Sequence, residues 1–308
     1  MGLLLDGLAV ARTLYQARQR RDFDAAVECL DEEVLLLNVA TGDVYRGHAG
    51  FLEYARGWGS ALPDMAFELM KFGGTDGRLV VEYEMEGSHT GSLVTPRGHL
   101  PATGMQVQLR VCDVLEVNEG RITHIRSYFD TSTLLRELGL ITGTPLHAPE
   151  RRAPLELYVQ DVDAHASERH KAIVQRFIQD VFNRQDPRAT TDTCARTYLW
   201  HGGPLGEARG LTAYANVLAA FFIAFPDIHL EVLDMIAEDD RVVLRFIMRG
   251  THLGDFQGIA PTMKRVIGGG TSTYRMLDNR IAEEWWQGDV LTLLQQIDAA
   301  PSTAPLSR

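Results

Sequence analysis

RIAEEWWQGD, residues 280–289, is a short strand pattern that ends in an acid just before the Leu-rich run VLTLLQQ. Its counterpart, RITHIRSYFD, spans residues 121–130. In both, an Arg-Ile pair precedes the acid by the same interval and TLL follows it. The acids Asp130 and Asp289 are expected to mark the centres of two related cups.

Working outward, one half of the chain lies over the other. Asn38 meets His201, Arg46-Gly47 meets Arg209-Gly210, Pro63-Asp64 meets Pro226-Asp227, and Gly87-Ser88-His89 meets Gly250-Thr251-His252. The interval is constant, since 201 − 38, 226 − 63 and 252 − 89 are all 163. Only the loop after Gly91 is longer than the one after Gly254. Two copies of this length exceed the period of a solenoid, so the pattern is a duplicated domain. The expected boundaries are a first domain at 1–142, a linker at 143–166 with prolines and no sustained period, and a second domain at 167–300.

Within each copy helices come first. Apolar residues recur at helical spacing from Leu8 to Leu30, with a joint at 20–22, and again from Glu168 to Phe182. A strand over 34–39 and a helix ending before Pro63 follow. Strands over 65–72, 78–86, 105–117 and 122–129 are separated by Gly-rich turns, and a helix stopped by Gly139 closes the unit. The expected fold class is α+β: two tandem cone-shaped domains, each a curved antiparallel sheet with N-terminal helices, packed as a pseudo-dimer.

Composition narrows the partners. A chain of 308 residues with net charge −11 has no clustered Lys and Arg for phosphate contacts, which argues against nucleic acid. Three scattered cysteines form neither a disulfide framework nor a zinc cluster. No run approaches the roughly 20 apolar residues of a membrane span. A cytoplasmic setting is expected, without membrane attachment.

FNRQD, HGGP, RG, AFPD, GTHLGDFQGIAPTMKRV and NRIAEEW occur in that order between 168 and 298. Together they resemble the SnoaL-like polyketide cyclase and ester cyclase family, within the nuclear transport factor 2-like superfamily. The first half keeps the RG, PD, GSHTG and YFD landmarks but lacks a GIPPT-type loop. The resemblance implies that each cup holds a hydrophobic, polyketide-like small molecule, needs neither metal nor organic cofactor, and closes a ring by an intramolecular aldol reaction. It places the acid/base Asp at the end of the last strand, hence at Asp289 and Asp130, and a pocket Asn at Asn38. A His that the family carries on the preceding strand is missing; the nearest residues are Glu116 and Arg275.

Strand alternation puts Asp289, Gln287, Trp285 and Glu283 on one side, and Asp130, Tyr128, Arg126 and His124 on the corresponding one. If the acids face the cups, these neighbours line them. A carboxylate in an apolar cup is desolvated and moves toward neutrality as a proton shuttle. The alternative is that each acid caps the helix that follows, since Asp is a favoured N-cap. His201 and Asn38 are candidates to hold a ligand carbonyl. His89 and His252 are candidate ligand contacts, or bond the backbone where a strand gives way to a turn. Arg126 beside Asp130 would depress that acid and suit water activation, as in the limonene epoxide hydrolases, but the Arg-x-Asp pair those enzymes also need is absent.

In the strand over 78–86, Leu79, Val81, Tyr83 and Met85 share one side, matched by Val242, Leu244, Phe246 and Met248. On the other side Glu82 corresponds to Arg245 and Glu86 to Arg249. Opposite charges at matching positions suggest that the halves pair with each other, as an intramolecular pseudo-dimer in a monomer or weak homo-oligomer. The expected function is a cofactor-independent cyclase or isomerase of antibiotic-type metabolism. The alternatives are epoxide opening and a non-catalytic ligand carrier or scaffold.

Overall fold

A computed structural model describes residues 2–75, 77–95, 98–140 and 164–299, which divide between two compact units. In the first unit, α1 (Gly2–Arg20) and α2 (Phe23–Glu28) precede β1 (Leu30–Asn38), β2 (Asp43–Arg46) and α3 (Gly47–Ala61). Then come β3 (Ala66–Thr75), β4 (Arg78–Ser88), a two-stranded hairpin of β5 (Leu93–Thr95) and β6 (Gly98–Leu100), β7 (Gln106–Asn118), β8 (Arg121–Phe129) and α4 (Thr131–Glu137). The expected joint is real: Arg21 adopts φ 58° and the Asp22 carboxylate caps α2 through the Ala25 N–H.

The second unit repeats the plan. It runs through α5 (Ala164–Phe177), a π-helical turn at Ile178–Asn183, a 3-10 turn at Pro187–Ala189, α6 (Thr190–Thr193), β9 (Cys194–His201), β10 (Glu207–Arg209) and α7 (Leu211–Ala224). The sheet continues with β11 (His229–Glu238), β12 (Arg241–Thr251), β13 (Arg265–Leu277) and β14 (Arg280–Gly288), and α8 (Val290–Gln296) closes it. The helix expected over 168–182 is therefore α-helical only to Phe177. Of the expected linker, residues 164–166 open α5 and the rest lies outside the described residues.

Both sheets have six strands in the same order, β2-β1-β8-β7-β4-β3 and β10-β9-β14-β13-β12-β11. The pairs β1–β8 and β9–β14 are parallel and the other pairs are antiparallel, so each sheet is mixed. One face of each sheet packs on the helices. In the first unit Leu36, Val81, Leu109, Ile125 and Phe129 join α1 and α3 in one core; in the second Trp200, Leu244, Val266 and Tyr274 join α5 and α7. We call this the inner face.

The repeated landmarks turn out to be the ties of the fold. The Asp64 carboxylate accepts the Ser88 N–H at 2.7 Å and hydroxyl at 2.5 Å; Asp227 accepts the corresponding groups of Thr251, both at 2.6 Å. These bonds hold both carboxyls below the usual carboxylate range. Arg121 reaches the Leu30 carbonyl at 3.0 Å, and Arg280 reaches the Thr191 carbonyl at 2.8 Å, fastening the start of each last strand to the helix side. At Gly91 a Cβ would overlap the Ser60 carbonyl, and at Gly254 the Ile223 carbonyl, so both loops need glycine where they cross the preceding helix.

Three of the charges that change sign between β4 and β12 have partners inside their own sheets. Glu82 pairs with Arg110 at 3.3 Å, Arg245 with Asp234 at 3.7 Å and Arg249 with Glu231 at 2.5 Å.

Candidate functional site

Each sheet hides one carboxylate on its inner face. In the second unit it is Glu284, 1% exposed, opposite Tyr274 in the β13–β14 register. Tyr198 donates to its Oε2, Tyr214 approaches that atom at 3.5 Å, and Ser272 donates to Oε1 at 2.9 Å. Burial pushes the carboxyl up to about 7, against the pull of these hydroxyls.

In the first unit the buried carboxylate is Asp113 on β7. Its Oδ2 accepts the Tyr15 hydroxyl at 2.5 Å and the Tyr83 hydroxyl at 3.2 Å, and Arg18 lies 3.8 Å away. Arg18 is itself 7% exposed and packs its guanidinium on the rings of Tyr15, Tyr54, Phe67 and Tyr83. Burial raises the Asp113 carboxyl, opposed first by Arg18 and then by Ser127, Tyr15 and Tyr83. The sequence carried a signal for this residue: in QVQLRVCDVLEVN it stands in phase with the buried Val107, Leu109, Val111 and Leu115.

An apolar cleft opens beside the inner face of the second unit. Phe221, Phe246, Phe256, Trp286 and Leu293 form its walls, and Gly268, Gly269 and Gly288 thin the strands around it. It is narrow, with about 10 Å³ of free room, enough for about one water molecule. Asp289 is the one charged residue in its lining. Its Oδ1 accepts the Thr292 N–H at 2.9 Å as the N-cap of α8, and Oδ2 makes no hydrogen bond to the described residues. Asp289 therefore caps α8 from within the cleft lining.

Asp130 is different. Its Oδ1 accepts the Ser132 N–H and hydroxyl, at 3.0 and 2.9 Å. Its Oδ2 accepts the Thr133 N–H at 3.1 Å, the Thr133 hydroxyl at 2.6 Å and the Ser132 hydroxyl at 3.1 Å. Burial raises this carboxyl while those hydrogen bonds pull it down.

The neighbours expected to line the cups lie on the opposite face. On β8 it is Ile125 and Phe129 that join the core, with Ser127 between them, so His124, Arg126 and Tyr128 point the other way. Arg126 pairs with Glu116 at 2.6 Å rather than with Asp130, and His124 lies 3.3 Å from the same Glu116. The water-activating Arg–Asp arrangement is therefore not formed. On β14 the inner residues are Glu284 and Trp286, whereas Glu283, Trp285 and Gln287 face outward. His201, alternating with the core residue Trp200, stacks on Trp285 with ring centroids 5.3 Å apart. It bonds Glu283 at 2.9 Å and lies 3.2 Å from Glu207; Arg275 holds the other Glu283 oxygen at 3.0 Å. Arg241 covers the Trp285 ring at 4.6 Å, and Gln287 accepts from Thr271 at 3.2 Å. Asp130 and Asp289 turn their side chains onto their own helices and so do not mark a strand face.

Asn38 and His201 are not equivalent. Leu37 pairs with Val44 as His201 pairs with Glu207, and the connection is one residue longer in the first unit. Asn38 is 4% exposed, pairs in register with Ser127, and its Oδ1 accepts the Thr41 N–H at 3.3 Å. His89 and His252 are buried alike. Their Nδ1 atoms accept backbone N–H groups, from Thr103 at 3.2 Å and Thr262 at 3.3 Å, and neither forms part of the described cleft lining. Among the described residues no group of His, Cys, Asp or Glu is placed to hold a metal ion.

The cone-shaped α+β fold, built twice, is that of nuclear transport factor 2-like proteins. The sequence profile of the SnoaL-like polyketide cyclase family matches residues 9–138 and again 172–297, and the chain belongs to that family. No curated protein matches it. Among solved structures it is similar to AclR from Streptomyces galilaeus, at 26% identity over 45% of this chain and 90% of that one, with a TM-score of 0.40. It is also similar to IdmH from Streptomyces antibioticus, at 26% over 42% and 98% with TM-score 0.38, and to TsrD from Streptomyces laurentii, at 22% over 43% and 96% with TM-score 0.40.

Proposed function

We infer that this protein is a cofactor-independent cyclase or isomerase of specialised metabolism, acting on a hydrophobic polyketide-type intermediate in the second unit, at a cleft that must widen from its water-sized room to admit it. The observation that carries this reading is the composition of the cleft: apolar and aromatic walls with a single carboxylate, Asp289, that keeps Oδ2 available. A base in apolar surroundings suits removal of a proton next to a ketone, where water would compete in an open site. Oδ2 takes the C–H proton and leaves an enolate. The enolate carbon attacks a second carbonyl of the same molecule, forming one C–C bond, and the resulting alkoxide takes the proton back. Isomerisation uses the same first step and returns the proton to another carbon. Neither route changes the redox state.

His201 has no direct part in this reading, because it stands on the other face of β9. Asp130 is better suited to holding α4, since both its oxygens are engaged.

The test is exchange of the α-protons of 2-tetralone in deuterium oxide, followed by NMR. Wild-type protein should accelerate exchange, and Asp289→Asn should lose about 100-fold or more of that acceleration. Full retention in Asp289→Asn would assign the proton transfer elsewhere. Binding without exchange would favour a ligand carrier.

A further inference from the structure

The two units fill the cleft end of the sheet in different ways. In the first, Leu109 pairs with Met85, Val111 with Tyr83 and Phe129 with Val111, and all three side chains belong to the core. The corresponding residues of the second are Gly268, opposite Met248, Gly270, opposite Phe246, and Gly288, opposite Gly270. Ser127 of the first unit, paired with Asp113, corresponds to Trp286 of the second, paired with Ser272. The second unit thus has one indole, rooted two residues before Gly288, where the first has side chains rooted in place.

The seat of that indole is bare backbone. A Cβ at Gly288 would overlap it, and one at Gly270 would come within 2.8 Å of the Phe246 ring. The two rings lie low against the sheet, with planes 22° apart and centroids 6.5 Å apart. Trp286 is only partly buried, and among the described residues no hydrogen bond holds its indole. Trp285, by contrast, is buried with His201 and Arg241 against its ring. Of the other aromatic walls, Phe246 and Phe256 are core residues and Phe221 packs on Phe225 and Phe256. At Gly268, also in the lining, an added Cβ would meet nothing within 4 Å.

We propose that Trp286 decides which ligands the cleft admits: the indole swings off Gly288 and the ligand takes its place on the bare strands. Interiors are close-packed, so a ligand that replaces a side chain takes its shape. The room left by an indole is flat and two fused rings wide. The part of the ligand that enters is therefore a planar bicyclic ring, whose edge Gly268 leaves unobstructed, and a puckered ring of the same size is turned away. This rests on the reading of the cleft as the binding site, but not on proton transfer by Asp289.

The probes are 2-naphthol and decahydro-2-naphthol, which share a carbon skeleton and a hydroxyl and differ in flatness. Each is titrated into the full chain labelled with 5-fluorotryptophan and followed by fluorine NMR, with the Trp286 signal assigned through Trp286→Phe. 2-Naphthol should move that signal, leave the Trp58 signal of the first unit in place, and bind at least about tenfold more tightly than the decahydro alcohol. Gly268→Leu, which installs the residue of the first unit, should keep the melting temperature and weaken 2-naphthol binding at least about tenfold. Asp289→Asn should keep both the binding and the shift, so tetralone exchange that is absent while the shift persists removes the proton-transfer reading and leaves this one. No binding, equal binding of the two alcohols, binding with the Trp286 signal unmoved, or wild-type affinity in Gly268→Leu would each overturn the proposal. If Gly268→Leu does not fold, the fluorine shift decides.

Discussion

Asp130 and Asp289 cap equivalent helices, but Asp130 engages both carboxylate oxygens with Ser132 and Thr133 whereas Asp289 engages one, with Thr292. The duplicated acid thus engages both oxygens in one copy and a single oxygen in the other. Asp130→Ala is expected to lower stability by about 1–2 kcal/mol, the upper range for losing a cap, with tetralone exchange unchanged. Chemical denaturation and the exchange assay, run on the same variant, check both halves of the statement.

Glu284 makes stability depend on pH with a definite sign. Its carboxyl is raised to about 7 in the folded chain from 4.5. Between those values the unfolded chain releases a proton that the folded chain keeps. The stabilising difference is complete below the unfolded value and is lost as pH rises through about 7, by roughly 3 kcal/mol for a shift of this size. Subtracting the denaturation profile of Glu284→Gln from that of the wild type between pH 4 and 8 should isolate this slope. A flat difference would contradict it.

Arg18 and Asp113 should show strong coupling. Asp113→Leu leaves the Arg18 guanidinium buried among four rings and is expected to cost about 3–5 kcal/mol. Replacing both, as Arg18→Met with Asp113→Leu, should recover much of that loss. A double-mutant cycle with near-zero coupling would mean that the pair is not held as described.

Gly254 tests the packing of the second unit. Gly254→Ala drives a methyl into the Ile223 carbonyl and should destabilise the second unit by about 3 kcal/mol or more. Gly258→Ala, whose Cβ would meet nothing within 4 Å though φ is +83°, should cost about 1 kcal/mol. Melting temperatures rank the two.

His201→Ala separates the faces of the β9 strand. Loss of its contacts with Glu283 and Trp285 should lower stability modestly and leave tetralone exchange at the wild-type rate. A large drop in exchange would place His201 within reach of the ligand after all.

The duplication, the element order and the family were legible because they rest on residues that glycine geometry and backbone capping make hard to replace: Asp64 and Asp227, Gly91 and Gly254, Arg121 and Arg280. The interior was less legible. Asp130 and Asp289 do not report strand phase, because an N-cap side chain bends back onto its helix. Bulges in register after Glu116 and Arg275 reset the alternation as well. On β14 the adjacent Trp285 and Trp286 offered two apolar phases, and only their packing distinguishes the indole over His201 from the one over Phe246. Glu284 had no local signal, since its partners Tyr198 and Tyr214 come from β9 and α7, whereas Asp113 was visible as an acid in an apolar stripe.

Trp286 lines the cleft, and Glu284, two residues earlier on the same face, does not. That indole stands between a buried carboxyl and a cleft with room for about one water. The first unit carries Ser127 at the matching position. Replacing Trp286 with serine would open the cleft toward Glu284, exposing a buried carboxyl by removing a wall rather than by adding a functional group.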